Sequence, residues 1–224
     1  MPYTIALITV LLPLISVHAT LTIGIVVGNL DPCIPYWSSC HSISATGRQY
    51  PEFFVFKALL IPTAVFMMAY WLLLDRWIKQ LSRDNTSPTI VTGMGLIASV
   101  ALIVYTVTLG AEGESYGLAR RIGVVFYFAF TSFGHLILLR HLDKIDTASL
   151  DIIPQQNRLT ISCLVLIGTA VASAFAGLLW EEGWDNWENA YEWWFSLLMI
   201  SMLYQVAVMW KKTGYRINLH LEQS

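Results

Sequence analysis

Arginine and carboxylate gather near the ends of the long apolar runs in this chain. Arg48, Glu52, Lys57, Arg120, Arg121, Glu188 and Glu192 all flank such runs on the same predicted side. Two chemistries are open to a mixed-sign cluster of this kind. The charges can pair with one another, or Arg48 and the Arg120-Arg121 pair can hold an anionic lipid headgroup. The second option is physically apt because a planar guanidinium offers paired N–H donors to phosphate oxygens.

Other residues could do chemistry but point to less. His18 and His135 fall inside apolar runs, where an ionisable group is costly and so invites a functional reading. They fall at different depths along their helices, so they are not read as a shared metal pair. Each is expected to be neutral and bonded to a neighbouring element. His41 lies beside Ser42 and Ser44, an adjacency too common to mark a nucleophile and its base. The chain lacks a Gly-x-Ser-x-Gly elbow, a His-Glu-x-x-His pair, a Walker loop and a Cys-x-x-Cys. No catalytic residue, metal site or cofactor is therefore predicted.

The elements that must position these groups follow from hydropathy. The chain is 56% hydrophobic and 12% charged, about half the charged share usual in a soluble domain. Its apolar residues come in runs long enough to cross roughly 30 Å of hydrocarbon as helices. Backbone groups in lipid must be satisfied within their own segment, and the alternation of a β-barrel is lacking, so the fold class is all-α. The runs predict a polytopic bundle of six transmembrane helices, near 3–27, 53–74, 89–110, 120–140, 159–180 and 191–210, in a single membrane domain. Between the first two lies the one sizeable loop, 28–52, rich in turn formers and read as ordered or re-entrant. The first run could be a cleaved signal, with Val17-His18-Ala19 as the site. It lacks a charged start and stays apolar through Val27, so it is read as a span.

Loop charge orients the bundle. Arg76, Lys79, Arg83, Arg140, Lys144, Arg158, Lys211, Lys212 and Arg216 fall on one side, nine against four on the other. Positive residues resist translocation, so the first side is predicted cytoplasmic and holds both termini. The opposite, outer side carries nine of the fifteen carboxylates. A net charge of −2 with no basic stripe argues against nucleic acid. Membrane lipids, or other membrane protein subunits, are the expected partners.

Smaller features complete the reading. Trp180, Trp184, Trp187, Trp193 and Trp194 crowd the last outer turn, as in an aromatic belt at the headgroup layer. Cys33 and Cys40 share the outer loop, where a disulfide or two free thiols are both open, while Cys163 sits in the fifth span as a small core residue. Gly168, Ala172 and Ala176 form a stripe at spacing four that predicts close helix contact within the bundle, with Gly93 and Gly95 as weaker cases. Gly47 is expected to take a positive φ in a turn.

Several short motifs also occur in a recognisable order. Ser42-Ile43-Ser44-Ala45-Thr46-Gly47 followed by Pro51-Glu52-Phe53-Phe54 resembles the Ile-Ser-Asp-Thr-Gly…Pro-Pro-Glu segment of the DRAM (damage-regulated autophagy modulator) family. Ala69-Tyr70-Trp71 agrees as well. Ser132-Phe133-Gly134-His135 is similar to a Ser-Leu-Gly-His of the branch that acts in remodelling the lipid of glycosylphosphatidylinositol anchors, and Glu188 falls where that branch has Cys-Glu. Two departures stand out: Ala45 replaces the family's Asp, and a second Glu of that branch aligns near Ile200. The resemblance implies a six-span membrane protein with a lipid-handling or lipid-remodelling role. On that view Arg48, Arg120 and Arg121 bind a headgroup at the outer face, with Glu52, His135 and Glu188 as structural or proton-handling groups. A non-catalytic scaffold or accessory subunit in a larger membrane complex is the alternative. A small transporter is disfavoured because the spans lack paired Pro or Gly interruptions.

Overall fold

The structure is a computed structural model describing residues 1–82, 89–145 and 150–217, and of Glu181 and Glu182 the backbone alone. Arg83, one of the nine inner charges, lies outside the described residues. Eight α-helical segments and the 3₁₀ turn Ala45–Gly47 are present among them, with no strand. Six are long and apolar enough to span a membrane. These are α1 (Pro2–Val27), α3 (Glu52–Leu81), α4 (Thr89–Thr108), α5 (Glu114–Leu142), α6 (Ile153–Leu179) and α8 (Glu188–Lys212), with short α2 (Pro35–Ser38) and α7 (Glu181–Trp184) between them. The protein is therefore a multi-pass integral membrane protein.

Hydropathy marks only the hydrocarbon part of a helix, so most of the observed helices overrun the apolar runs, while α4 stops two residues short of its predicted end. The correction that matters most for the charged residues is at α5, which begins six residues before the predicted 120. Gly113 at φ 117° sets the turn, and Glu114 enters the first turn where a carboxylate favours the helix dipole. Arg120 and Arg121 consequently sit on a formed helix rather than at its edge. At the other end of the bundle α3 runs on to Leu81, where Lys79 pairs with Asp75 at 2.7 Å.

Packing closes the six long helices into a ring in the order α1, α3, α4, α5, α6, α8 and back to α1. The ring is uneven. Helix α4 lies hard against α5 and α3, whereas α5 touches α6 and α8 only thinly. Close contact on the tight side depends on Trp71, fully buried on α3, whose ring fills the space that Gly95 of α4 and Gly134 of α5 leave. The small-residue stripe of α6 does not behave as predicted. Nothing lies within 4 Å of a Cβ placed on Gly168, and Ala172 is exposed. Gly93 is likewise open, so of the predicted glycine contacts only Gly95 packs. Spacing identifies a smooth helix face but not which face meets a neighbour.

Residues 28–51 fold as an ordered cap over one end of the ring. Gly28, at φ 82°, ends α1 in the left-handed conformation, and the N–H groups of Asn29 and Leu30 close on the Gly24 carbonyl. A Cys33–Cys40 disulfide closes the loop around α2. The cap is then sewn to the first turns of α8. The Asn189 amide donates to the Ser39 carbonyl at 2.8 Å, the Ala190 N–H to Ser39 Oγ at 3.1 Å, the Trp193 indole to the His41 carbonyl at 2.8 Å and the Trp194 indole to the Tyr36 carbonyl at 3.0 Å. Thr46 meets Thr20 of α1 at 2.9 Å.

This stitching corrects two predictions. Trp193 is 0% exposed and belongs to the core, while Trp180, Trp187 and Trp194 keep the exposure a belt residue needs. Gly47 lies in the 3₁₀ turn Ala45–Gly47 and has no positive φ. Its constraint is space, because a Cβ there would stand 2.5 Å from the Phe56 ring.

Candidate functional site

Where α5 thins away from α6 and α8, a cavity of about 1000 Å³ opens at the cap end. Its wall on α5 descends from Gly117 through Arg120 and Arg121 to Val124, Phe128 and Phe133. The opposite wall is α8 with Glu188, Asn189, Glu192 and Phe195, the far wall is α6, and Ser42, Ser44 and Arg48 of the cap close the top. Charged groups thus crowd one end, and the rest is lined mainly by apolar side chains, with Ser132 and Ser173 among them. At 1.5 Å per residue the apolar stretch of α5 from Val124 to Phe133 is roughly 14 Å deep, matching one leaflet of about 15 Å in a core of about 30 Å.

Among the described residues the charges at the top form no close ion pair with one another. Lys79–Asp75 and Lys212–Asp151 are the ion pairs among the described residues, and neither involves the cavity. Arg48 donates through Nη2 to Ser44 Oγ at 2.7 Å, and Arg120 donates through Nη1 to the Thr108 carbonyl at 3.2 Å. Each of these arginines is steered by one neutral acceptor and keeps other donors for a ligand. Arg121 is exposed at the rim. Arg48 is close enough to Glu192 to act on its charge, without a direct ion pair between them.

Glu192 is set deeper. Its Oε2 accepts the Ile43 N–H at 3.1 Å, tying the cap to the cavity wall. Below it a smaller apolar cavity of about 70 Å³ shares Tyr105, Val124, Phe128 and Glu192 with the large one. Glu192 and Tyr105 therefore stand at a threshold between the two spaces. Sequence grouped Glu192 with the outer charges without singling it out, although its spacing of four from Glu188 puts both on one helix face. Tyr105, inside an unremarkable apolar run, carried no signal.

The remaining predicted residues lie elsewhere. Glu52 is 1% exposed, outside the cavity, and its two carboxylate oxygens accept from the Asn29 amide at 3.0 and 3.1 Å. The same amide donates to the Tyr50 carbonyl at 2.9 Å, so Asn29 and Glu52 join the two ends of the cap. His135 is buried between α3 and α5. Its Nδ1 faces the Thr131 carbonyl at 2.7 Å and must carry the proton, leaving Nε2 to accept from the Tyr70 hydroxyl at 2.9 Å. His18 repeats the arrangement, with Nδ1 on the Leu14 carbonyl at 2.7 Å and Nε2 on the Tyr36 hydroxyl at 3.0 Å. Burial pushes the Tyr36 hydroxyl above its ordinary pKa, so it keeps its proton. Both histidines have both ring nitrogens in hydrogen bonds within the bundle and cap.

Cys33, Cys40 and His41 bring their ligand atoms within 4.8 Å of one another. With the two sulfurs joined in a disulfide they are not thiolates, so the set does not fit a metal.

The motifs that carried the resemblance prove to be neighbours in space. Tyr70 bonds His135 and Trp71 abuts Gly134, so Ala69-Tyr70-Trp71 and Ser132-Phe133-Gly134-His135 form one packing joint. Ser42 and Ser44 of the cap segment line the cavity. Comparison with known proteins gives no match among curated proteins or among solved structures. A family model does match, over residues 2–211, and it describes the Frag1/DRAM/Sfk1/Cwh43P N-terminal domain. With nearly its whole length matched and the six-span fold in place, this chain belongs to the Frag1/DRAM/Sfk1/Cwh43P family.

Proposed function

We propose that this protein handles a membrane lipid, taking the lipid's phosphate-bearing headgroup among Arg48, Arg120 and Arg121 and laying its tail along the apolar wall of α5 and α6. One observation carries the reading: three arginines that form no ion pair among the described residues open onto a cavity whose lining is mainly apolar for a leaflet's depth. Such a site suits an amphiphile that arrives sideways from the bilayer, since exposed Val125, Phe133 and Val171 line it on the membrane side. The cap end is the non-cytoplasmic face on the charge count, so the lipid comes from the outer leaflet. Within this reading Glu52 and His135 hold the fold, while Glu188 belongs to the site.

The test is lipid retention by protein purified in mild detergent and read by native mass spectrometry. Arg120→Gln and Arg121→Gln are expected to lose bound phospholipid while the protein melts as before. Lysine at either position should rescue in part, keeping charge but losing the paired fork. Unchanged lipid with lower thermal stability would overturn the proposal and favour an accessory subunit. That rival draws on one feature, the exposed cap-end half of α6 with Gly168 and Ala172, and predicts a protein interface there.

A further inference from the structure

The cavity offers both signs of charge on facing walls. Arg120 and Arg121 stand on α5, while Glu188 and Glu192 stand one turn apart at the start of α8. A headgroup that ended in phosphate alone would be drawn to the first wall and repelled by the second. We infer that the headgroup also carries an ammonium group, so that its phosphate lies on the α5 arginines and its cation against Glu188 on the α7–α8 wall. This rests on the lipid-site reading above.

Three observations support the assignment. Glu188 is exposed to the cavity and makes no ion pair among the described residues, so its charge is available. Its neighbours are committed elsewhere: Glu192 accepts the Ile43 N–H, and the Asn189 amide donates to the Ser39 carbonyl. Finally, Trp184 and Tyr191 line the same wall as an edge-to-face pair with ring centres 5.3 Å apart. A carboxylate beside aromatic rings is the chemistry that holds ammonium groups, by charge and by attraction to the ring face. Both a primary ammonium, as in an ethanolamine headgroup, and a quaternary one, as in choline, satisfy it.

The experiment equilibrates the detergent-purified protein with mixed micelles of phosphatidylethanolamine, phosphatidylcholine and phosphatidylglycerol bearing the same acyl chains. Bound lipid is counted by native mass spectrometry. The expected result is preference for an ammonium lipid over phosphatidylglycerol by about tenfold, the scale of one well-placed charge contact. Glu188→Gln should abolish that preference while leaving phosphatidylglycerol bound, and Arg120→Gln should weaken all three. Retention of phosphatidylcholine with loss on Trp184→Ala would support the quaternary form, and retention of phosphatidylethanolamine alone the primary one. Equal binding of all three lipids, unaltered by Glu188→Gln, would overturn the inference and leave the phosphate site standing. Binding of none would overturn the lipid site itself. Because Glu192 also anchors the cap, Glu188 is the variant on which the result is judged.

Discussion

Tyr70 on α3 donates its hydroxyl hydrogen to Nε2 of His135 on α5 at 2.9 Å, in a part of the bundle where both are fully buried. The direction is fixed by the far side of the ring, where Nδ1 must give its proton to the Thr131 carbonyl. Tyr70→Phe therefore strands a buried acceptor, and the expected loss is about 1–3 kcal/mol. Thermal melting in detergent checks it. A variant as stable as the parent would show that water or another donor reaches His135.

The two glycines of α4 should respond in opposite ways. Gly95→Ala drives a methyl group into the Trp71 ring, which is walled in by Gly134 on its other side, and should cost about 1–3 kcal/mol or block folding. Gly93→Ala meets nothing within 4 Å and should be tolerated. Folded yield by size-exclusion profile separates them, and equal behaviour would contradict the packing described for Trp71.

Glu52 is predicted to act on the cap and not on lipid. Glu52→Ala leaves the Asn29 amide without its carboxylate partners and should lower stability by about 1–3 kcal/mol. The complement of copurifying lipids should not change. Selective loss of lipid at unchanged melting temperature would return Glu52 to the binding site.

Orientation is tested with reporters. Fusions after Ser82, Lys144 and Tyr215 should all report cytoplasm, and one placed in the Ala111–Gly113 turn should report the opposite side. The expectation rests on nine inner against four outer positive charges. An external signal at any of the first three would invert the site's leaflet as well.

Much of the fold was legible because hydrocarbon enforces it: runs such as Thr89–Thr108 can only be helices in lipid, and their number follows from length. What each helix touches was not legible. Gly168 and Ala172 have the spacing of a contact face yet are open, whereas Gly95 packs tightly in a run that looks no different. Arg48, Arg120, Arg121 and Glu188, grouped in the sequence by their place at the span ends, line one cavity. Glu52 misled because charge at a helix end looks alike in sequence whether it faces a ligand or closes a loop through Asn29. Tyr105 was invisible, as its role comes from the cavity geometry and not from its neighbours in the chain.

The uneven ring has a mechanical consequence. Trp71, held in notches on α4 and α5, makes α3, α4 and α5 one stiff block, and the cap's bonds to Asn189, Ala190, Trp193 and Trp194 make cap and α8 another. The thin seam beside α5 is where the two blocks meet. On the proposed reading, a lipid held by Arg120 on one side and Glu188 on the other would bridge that seam and cross-brace the bundle, whose two halves are otherwise joined mainly through α1 and α3.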